Sequence, residues 1–237
     1  MKALGIALFS IYFWVASFAW MAFLSVATFL GSIFFGYQRV HLWISGPGFY
    51  WCLRLCLIRI KLVYDPGFDP WRPSVFCQNH VNLLDAHIAC AAIPHAFCGL
   101  MHAWQFNIPF YGWLMGLSKG IRVYPGKQNM ERMVVQARQR RSIGMSILTF
   151  PEGGRTLDGK VQPFRKGVFY MARDAGYPVV PISVKGNFEI NRKGSRLFHP
   201  GRTLEIYVGP QFETAGLDEE GVKRLAKSLE TYVAERI

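Results

Sequence analysis

Apolar residues follow one continuous pattern at the start of this chain. No charged side chain occurs from Ala3 to Gln38, and most positions in this stretch are apolar. As a single helix it would measure about 54 Å, well beyond the roughly 30 Å of bilayer hydrocarbon. Gly31, Ser32 and Gly36 are candidate breaks. The pattern therefore predicts either a tilted spanning helix followed by an interfacial piece, or a helical hairpin embedded in one leaflet.

The apolar pattern continues through Trp51 to Ile60, where Arg54 and Arg59 interrupt an apolar stripe. This arrangement predicts a helix and is typical of one lying on lipid headgroups, although an ordinary amphipathic surface helix has the same pattern. A secretory signal peptide is the alternative for the first stretch, but its usual apolar core is only about 7–15 residues. We therefore assign residues 1–60 to hydrophobic membrane-associating helices.

The residues that flank the apolar stretch predict its orientation. The candidate interface anchors are aromatic: Tyr12, Trp14, Trp20 and Tyr37. The basic residues that follow are Arg39, Arg54, Arg59 and Lys61. Positive charge on one side of a membrane segment marks the cytoplasmic side. The expected location is thus the cell inner membrane, integral or monotopic, with the downstream domain facing the cytoplasm.

Beyond Tyr64 short apolar runs alternate with helical stretches. Candidate strands lie at 74–77, 96–101, 120–124, 146–150, 178–184 and 204–208. Candidate helices lie at about 84–92, 108–118, 128–143, 166–175 and 217–237. This alternation predicts an α/β fold, with a layered sheet flanked by helices and a membrane anchor of hydrophobic helices at the N-terminus. We find no internal repeat or low-complexity linker, so residues 61–237 are predicted to form one domain.

Composition supports a membrane partner. The 237 residues are 51% hydrophobic, and 27 Lys and Arg against 15 Asp and Glu leave a net charge of +12. A bilayer surface with acidic lipids satisfies both the apolar excess and the positive charge. Nucleic acid is not expected as a partner, because no zinc-finger spacing or RNA-binding aromatic motif occurs. A basic run on one predicted helix (Arg138, Arg140 and Arg141) is either a solvated face or a contact to lipid phosphates.

The five cysteines do not form a recognisable framework. They are Cys52, Cys56, Cys77, Cys90 and Cys98, an odd number without any CxxC pair and in apolar surroundings. The sequence predicts small core residues in a reducing compartment rather than disulfides or a zinc site.

The first candidate for chemistry is the segment Asn79-His80-Val81-Asn82-Leu83-Leu84-Asp85, where a predicted strand ends and a helix begins. His80 lies in the loop and Asp85 in the first helical turns. A neutral imidazole is suited to taking a proton from an alcohol, and a carboxylate on its other nitrogen fixes the tautomer. A capping histidine beside an unrelated aspartate is the alternative. Metal ligation by His80, Asp85 and His87 has no supporting ligand cluster, so we expect no metal.

The second candidate is Phe150-Pro151-Glu152-Gly153-Gly154-Arg155-Thr156, again at the end of a predicted strand. The glycines permit close backbone approach, and Arg155 offers a planar fork for phosphate. Glu152 can accept hydroxyl hydrogen bonds or hold the arginine in position. A generic turn with a surface salt bridge is the alternative. Downstream, Arg165 and Lys166 add two cations at a predicted helix start.

In this order the blocks resemble the glycerophospholipid acyltransferase family, in particular bacterial 1-acyl-glycerol-3-phosphate (lysophosphatidic acid) acyltransferases. The segment 79–85 carries the NHxxxxD signature, and 150–156 resembles FPEGTRS. Two looser blocks are Ile108-Pro109-Phe110-Tyr111-Gly112 leading to Gly120-Ile121-Arg122-Val123, and a VPI-like strand at 179–184. The resemblance covers residues from about 60 to 210.

The resemblance implies acyl transfer from acyl-CoA or acyl carrier protein to a lysolipid hydroxyl, giving phosphatidic acid without a metal or other cofactor. His80 would be the general base and Asp85 its orienting partner. The implied partners are membrane lipids, the lysophospholipid acceptor and acyl carrier protein. The implied acceptor-binding residues are Asn79, Glu152, Gly153, Gly154, Arg155 and Lys166.

The chain departs from the family around the Ile-Pro block. Many relatives carry Lys-Lys-Glu before it, where this chain has His102-Ala103-Trp104, and relatives often end the following strand with an arginine, where this chain has Pro125. Arg122 and Lys127 are the candidate replacements, although Arg122 would face the opposite side of a strand. Two alternative functions therefore stay open: O-acylation of another lysolipid, such as a lyso-ornithine lipid, and non-catalytic binding to a membrane surface.

Overall fold

A computed structural model describes residues 3–126 and 129–237. The helices are α1 (Ala3–Phe35), α2 (Tyr37–Val40), α3 (Gly46–Leu55), α4 (Asp85–Ala92), α5 (Tyr111–Leu117), α6 (Asn129–Ser142), α7 (Gly167–Ala175) and α8 (Glu219–Ala234). A π-helical turn (His41–Ser45) joins α2 to α3, and short 3-10 helices occupy Ala103–Asn107 and Asn187–Glu189. The strands are β1 (Arg59–Tyr64), β2 (Val75–Gln78), β3 (Phe97–His102), β4 (Ile121–Val123), β5 (Ser146–Thr149), β6 (Val179–Lys185) and β7 (Thr203–Val208).

The seven strands form one sheet in the order β1-β7-β6-β2-β5-β3-β4. Neighbouring strands are parallel except for the antiparallel pair of β6 and β7. The central strands β2, β5 and β6 are almost entirely buried, as expected for parallel strands covered on both faces. Helices cover these faces over two large apolar clusters. The predicted α/β fold is therefore confirmed.

The N-terminal helices form a hairpin rather than one continuous rod. Helix α1 ends at Phe35, and the chain reverses at Gly36, whose φ of 73° is available to glycine without strain. The returning arm packs back along α1, where Trp20 donates its indole N–H to the carbonyl of Gly48 at 2.8 Å. Of the three candidate breaks, Gly36 interrupts the helix, whereas Gly31 and Ser32 lie inside α1.

One end of α1 is fastened to the sheet domain. The ring of Phe13 lies 4.4 Å from that of Phe198, measured between centroids, and Trp14 donates its N–H to the carbonyl of Arg196. Ser10 accepts a hydrogen bond from the backbone N–H of Phe198 at 2.9 Å. Because Phe13 shares one buried cluster with sheet residues, the hairpin and the sheet domain pack as neighbours.

The outer face of α1 is apolar and exposed. Its large exposed side chains are Leu4, Leu8, Ile11, Val15, Phe18, Phe23, Val26, Phe29, Leu30, Ile33 and Phe34. By length and composition α1 is the single helix within residues 3–126 and 129–237 that could cross a membrane. An exposed apolar face of this size indicates a surface that contacts something other than water.

The prediction of a helix through Ile60 is wrong. Helix α3 ends at Leu55, Leu57 adopts a positive φ of 58°, and strand β1 begins at Arg59. The charged side chains of Arg59 and Lys61 are exposed, while the apolar residue between them, Ile60, is partly buried. This is the alternation of an edge strand. A short apolar run with interspersed cations fits the periodicity of a helix as well as that of a strand. Pairing with β7 makes this segment a strand.

Elsewhere each predicted strand and helix overlaps an observed element, with ends that differ by up to about three residues. All five cysteines are unpaired thiols, four of them buried and Cys90 partly so. Burial raises the pKa of the Cys56 thiol to about 12. The interpretation of the cysteines as core residues agrees with this placement.

Helix α5 provides a test of the packing beside the sheet. A Cβ added at Gly112 would lie 2.3 Å from the carbonyl oxygen of Phe106, whereas one at Gly116 would meet nothing within 4 Å. Gly112→Ala should therefore destabilise the protein by about 2 kcal/mol, a typical cost of overpacking. Gly116→Ala, on the same helix, should be neutral or slightly stabilising because alanine favours helices. Melting temperatures in detergent measure both, and equal values would contradict the packing described.

Candidate active site

Three neighbouring parallel strands, β5, β2 and β6, end at one edge of the sheet. The loop after β2 carries His80, the loop after β5 carries Glu152, and the turn after β6 carries Asn187. Groups that follow neighbouring parallel strands converge at the carboxyl edge of the sheet. The two sequence motifs, separated by about seventy residues, therefore meet in space.

His80 and Asp85 form a hydrogen-bonded pair, as the spacing suggested. The distance from His80 Nδ1 to the carboxylate Oδ2 of Asp85 is 2.9 Å. Asp85 is fully buried, while about a quarter of the His80 side chain is exposed. An ionised carboxylate only accepts, so Nδ1 carries the proton and Nε2 presents its lone pair. Among the described residues, no side chain or backbone group hydrogen bonds to Nε2.

The Asp85 carboxylate is held by four donors. Oδ2 also accepts from the backbone N–H of Val81 at 2.5 Å and of Asn82 at 2.9 Å. Oδ1 accepts from the side-chain amide of Asn187 at 3.1 Å. Such a carboxylate is locked in position and stays a hydrogen-bond acceptor although it is buried. The capping alternative is thus not the geometry observed.

Sequence reasoning missed Asn187. Its backbone carbonyl accepts from the side-chain amide of Asn82 at 2.7 Å, so the turn after β6 is bonded to the loop after β2 at two points. The sequence signal that points to it is weak: a glycine and an asparagine following a mostly apolar strand. Its role depends on strand order, because β6 lies next to β2 in the sheet but about a hundred residues later in the chain.

His80 is supported on its other sides by the loop after β5. The imidazole stacks on Phe150, with 4.1 Å between ring centroids and 15° between planes. The His80 backbone N–H donates to Glu152 Oε1 at 2.7 Å, and its carbonyl accepts from the backbone N–H of Thr156 at 2.9 Å. These contacts fix both the ring and the backbone of the histidine.

Glu152 is a bridge inside the loop rather than an exposed binding group. Its second oxygen accepts from the backbone N–H of Gln162 at 2.9 Å, and only 7% of the residue is exposed. Burial raises the pKa of Glu152 to about 7, against the opposing effect of its two backbone N–H bonds. In this geometry Glu152 orients the loops around His80.

Asn79 lies within the sheet. Its side-chain amide donates to the carbonyl of Val184 at 3.0 Å and accepts from the N–H of the same residue at 2.8 Å. Both ends of the amide are thereby used to extend the pairing of β2 with β6, and Asn79 is not among the residues that line the cavities described below. The Asn79 side chain therefore belongs to the sheet and not to the wall of either cavity.

A large apolar cavity opens beside His80. Its volume is about 780 Å³. Its walls come from α1, the returning arm of the hairpin, α4, β3 and α5, and His80 lies at its boundary. The hairpin thus forms part of the cavity wall. A cavity of this size and composition suits a ligand with a long apolar part.

A second cavity of about 610 Å³ adjoins the first. Its charged lining residues are three cations and two carboxylates: Arg155, Arg165, Lys193, Glu152 and Asp158. Arg155 and Arg165 line both cavities. A buried guanidinium nitrogen of Arg155, Nη1, has no hydrogen-bond partner among the described residues. This pocket can therefore receive an anion next to the apolar cavity.

The glycine pair brings these cations close to the backbone. Gly153 has a φ of 74°, and a Cβ on it would lie 2.3 Å from Nε of Arg165. Only glycine permits this approach. Gly153 and Gly154 both lie where the two cavities meet.

Two further predicted binding residues, Lys166 and Arg122, are not brought to this junction. Lys166 is exposed and lines neither cavity, whereas its neighbour Arg165 lines both. The guanidinium of Arg122 lies over the ring of Phe106, 4.6 Å from its centroid, also outside both cavities. Lys127 lies outside the described residues. Neighbouring residues at the start of a helix or along a strand point in different directions. For this reason Arg165 lines the cavities while Lys166 does not, and Arg122 in β4 points away from them.

Within residues 3–126 and 129–237, no group of three or more His, Cys, Asp and Glu side chains is arranged to hold a metal ion. In particular, His87 does not join His80 and Asp85. Its ring packs edge-on against Phe49, with 4.9 Å between centroids.

Comparison with known proteins identifies a family. The protein-family model named Acyltransferase matches residues 67–185, just over half of the chain. A chloroplastic 1-acyl-sn-glycerol-3-phosphate acyltransferase from Brassica napus is 34% identical over 164 residues, which cover 66% of this chain and 46% of that protein. The chain thus spans less than half the length of this plant relative.

Animal proteins and a solved structure are also similar. The 1-acyl-sn-glycerol-3-phosphate acyltransferase alpha of Mus musculus is 28% identical over 189 residues, covering 75% of this chain and 66% of that protein. The crystal structure of the lysophosphatidic acid acyltransferase PlsC from Thermotoga maritima superimposes with a TM-score of 0.85. It covers 99% of this chain and 95% of that chain at 19% identity. This last similarity establishes the shared fold.

The buried carboxyl of Glu152 gives a pH prediction. Its raised pKa, about 7 against an ordinary 4.5, means that the folded protein binds this proton more tightly than the unfolded chain. The stability associated with it is present below pH 4.5 and is lost as the pH rises through 7. Between pH 4.5 and about 7 the melting temperature of the wild type should therefore fall relative to that of Glu152→Gln, whose side chain does not titrate.

A matched control is Glu213→Gln. Glu213 is exposed, and its hydrogen bond to Arg72 lowers the pKa of its carboxyl, so its titration lies below this interval. The difference between wild type and Glu213→Gln should therefore stay constant from about pH 5.5, where the unfolded carboxyl is also ionised, to about pH 7. A constant difference for Glu152→Gln as well would contradict the raised pKa of Glu152.

Proposed function

Because the chain belongs to the Acyltransferase family, we propose that it transfers a fatty acyl chain to the free hydroxyl of 1-acyl-glycerol-3-phosphate, giving phosphatidic acid. One observation carries the proposal. His80, with its unbonded Nε2, lines the apolar cavity, and the cationic cavity adjoins that cavity through Arg155 and Arg165, so a lipid hydroxyl, an acyl chain and a phosphate can be held around one base.

The His80–Asp85 pair supports direct attack by the lipid hydroxyl. Nε2 removes the hydroxyl proton as the oxygen attacks the thioester carbonyl carbon, and the Asp85 carboxylate stabilises the imidazolium that forms. The carbon–sulfur bond then breaks, and the departing sulfur takes the proton from Nε2 to leave as a free thiol. The step requires no acyl-enzyme, and the chemistry uses only groups of this chain and its two substrates.

The two cavities supply the two ends of the reaction. The apolar cavity of about 780 Å³ receives the acyl chain that is transferred. The unpartnered Nη1 of Arg155, together with Arg165, receives the phosphate of the acceptor. A guanidinium binds phosphate with strong, directional hydrogen bonds. Arg165 and Lys193 thereby take the place of the cations expected before and after the Ile-Pro block.

The acyl donor in this proposal is acyl-CoA or acyl carrier protein, and no further cofactor takes part. The hairpin places the cavity beside the bilayer, since the exposed face of α1 suits hydrocarbon and its inner face forms part of the cavity wall. We place the protein in the cell inner membrane with the sheet domain on the cytoplasmic side, as the flanking charges suggest. A function limited to membrane binding would not account for the hydrogen-bonded His80–Asp85 pair.

The central experiment measures acyl transfer by purified protein in detergent. Acyl-CoA and acyl carrier protein donors are offered with lysophosphatidic acid and with a phosphate-free lysolipid, such as a lyso-ornithine lipid. We expect transfer to lysophosphatidic acid, and a fall in kcat by about a hundredfold to ten-thousandfold in His80→Ala, the usual contribution of a general base. Near-wild-type turnover by that variant, with its fold intact by circular dichroism, would refute the role of His80. A preference for the phosphate-free acceptor would refute the proposed acceptor.

The phosphate assignment is tested by removing single cations. Arg155→Ala and Arg165→Ala should each lower kcat/KM for lysophosphatidic acid by about tenfold to a hundredfold, the range expected for losing a charge-assisted hydrogen bond. Their effect on a phosphate-free acceptor should be much smaller. Arg122→Ala is the matched control, because its guanidinium lies over Phe106 outside both cavities. An equal loss in all three variants would mean that general surface charge, not a phosphate pocket, attracts the acceptor.

A further inference from the structure

The apolar cavity contains polar groups that an ordinary alkyl chain does not need. Four cavity residues recur at every fourth position along the returning arm of the hairpin: Tyr37, His41, Ser45 and Phe49. Residues four apart lie on the same face of a helix, so these side chains form a stripe facing the cavity. Three of the four members of this stripe are polar.

The polar members of the stripe are buried, and they differ in whether they have partners. The Tyr37 hydroxyl and His41 Nδ1 are hydrogen bonded to each other at 2.9 Å. The hydroxyl of Ser45 is buried beside the Tyr37 hydroxyl, but it makes no well-aligned hydrogen bond to any of the described residues. A serine hydroxyl in a helix commonly bonds to the carbonyl one turn earlier, and this one does not.

His87 adds a second unpartnered group to the lining of the cavity. It lines the same cavity from α4, and its Nδ1 has no partner within the described part of the chain. Its ring packs against Phe49, the residue one turn beyond Ser45 in the stripe. Burial lowers the pKa of His87 to about 4, so its imidazole is neutral at physiological pH and offers one donor and one acceptor.

A plain hydrocarbon chain cannot satisfy these groups. Buried polar atoms in proteins are almost always hydrogen bonded, and each unpaired one reduces stability. Covering Ser45 and His87 with methylene groups would also displace any water able to reach them. Side chains such as alanine and phenylalanine would make a better wall for an unsubstituted chain. The unpartnered atoms therefore indicate a ligand that is itself polar at this depth.

We propose that the cavity selects an acyl chain that carries a hydroxyl group, with Ser45 and His87 as its hydrogen-bond partners. A hydroxyl can donate one hydrogen bond and accept another, which matches a neutral imidazole and a serine hydroxyl that line the same cavity. The Tyr37–His41 pair continues the polar stripe. This inference rests on the proposed function, since it concerns the chain that is transferred.

The test compares acyl-CoA donors of equal length: an unsubstituted chain, a chain hydroxylated at the β carbon, and a chain hydroxylated near its middle. Lysophosphatidic acid is the acceptor. In the wild type, kcat/KM should be higher for one of the hydroxylated donors than for the unsubstituted one. Ser45→Ala and His87→Phe should each reduce this ratio by about two- to tenfold, the effect of losing one hydrogen bond.

Ser183→Ala is the matched control. Its hydroxyl is also buried and unpartnered among the described residues, but it lies in β6 and lines neither cavity. The ratio should be unchanged in this variant. A wild-type ratio of one or less for both hydroxylated donors, or a preference that survives in both cavity variants, would overturn the inference.

A binding measurement separates this inference from the proposed function. Free hydroxylated and unsubstituted fatty acids of the same length are added to purified protein, and the rise in melting temperature is recorded. A larger rise with a hydroxylated acid, lost in Ser45→Ala and His87→Phe, supports the inference even if no donor is turned over. Absence of all transfer would refute the proposed function alone. Equal rises for the two kinds of acid would refute the hydroxyl site.

Discussion

The buried carboxylate of Asp85 is the constraint on which the site depends. A carboxylate taken out of water is costly unless every oxygen finds donors, and here donors come from His80, two backbone N–H groups and Asn187. Meeting that requirement fixes the loop after β2, the start of α4 and the turn after β6 relative to one another. The hydrogen bond to Asp85 also orients the imidazole of His80. The same contacts therefore position His80 and stabilise the fold.

Strand order explains why the candidate site residues all lie at one edge of the sheet. Strands β5, β2 and β6 are parallel neighbours, so the chain leaves all three at the same edge. Glu152 then joins two of the loops by accepting from the N–H groups of His80 and Gln162. The result is a rigid junction, with an apolar cavity on one side and a cationic cavity on the other.

One hairpin provides both an exposed apolar surface and part of the cavity wall. Its outer face is apolar and exposed, while the inner face of the same helices lines the cavity beside His80. Phe13 and Phe198 pack together, so the hairpin is held against the sheet domain at one end. The division at residue 60 drawn from the sequence stays a prediction about domains, but in packing terms the two parts share a cavity wall.

Local patterns in the sequence predicted most of the elements and singled out the candidate residues. Alternating apolar runs predicted the strands and helices beyond Tyr64, residue type and spacing made His80, Asp85 and Glu152 candidates, and the family resemblance implied their roles. Tertiary structure decided which side chains meet. Strand β1 exists because β7 pairs with it, Asn187 joins the site because β6 lies beside β2, and Arg165 lines the pocket where Lys166 does not. The reason is physical: periodicity reports which face of an element is buried, whereas convergence depends on contacts between residues far apart in the chain.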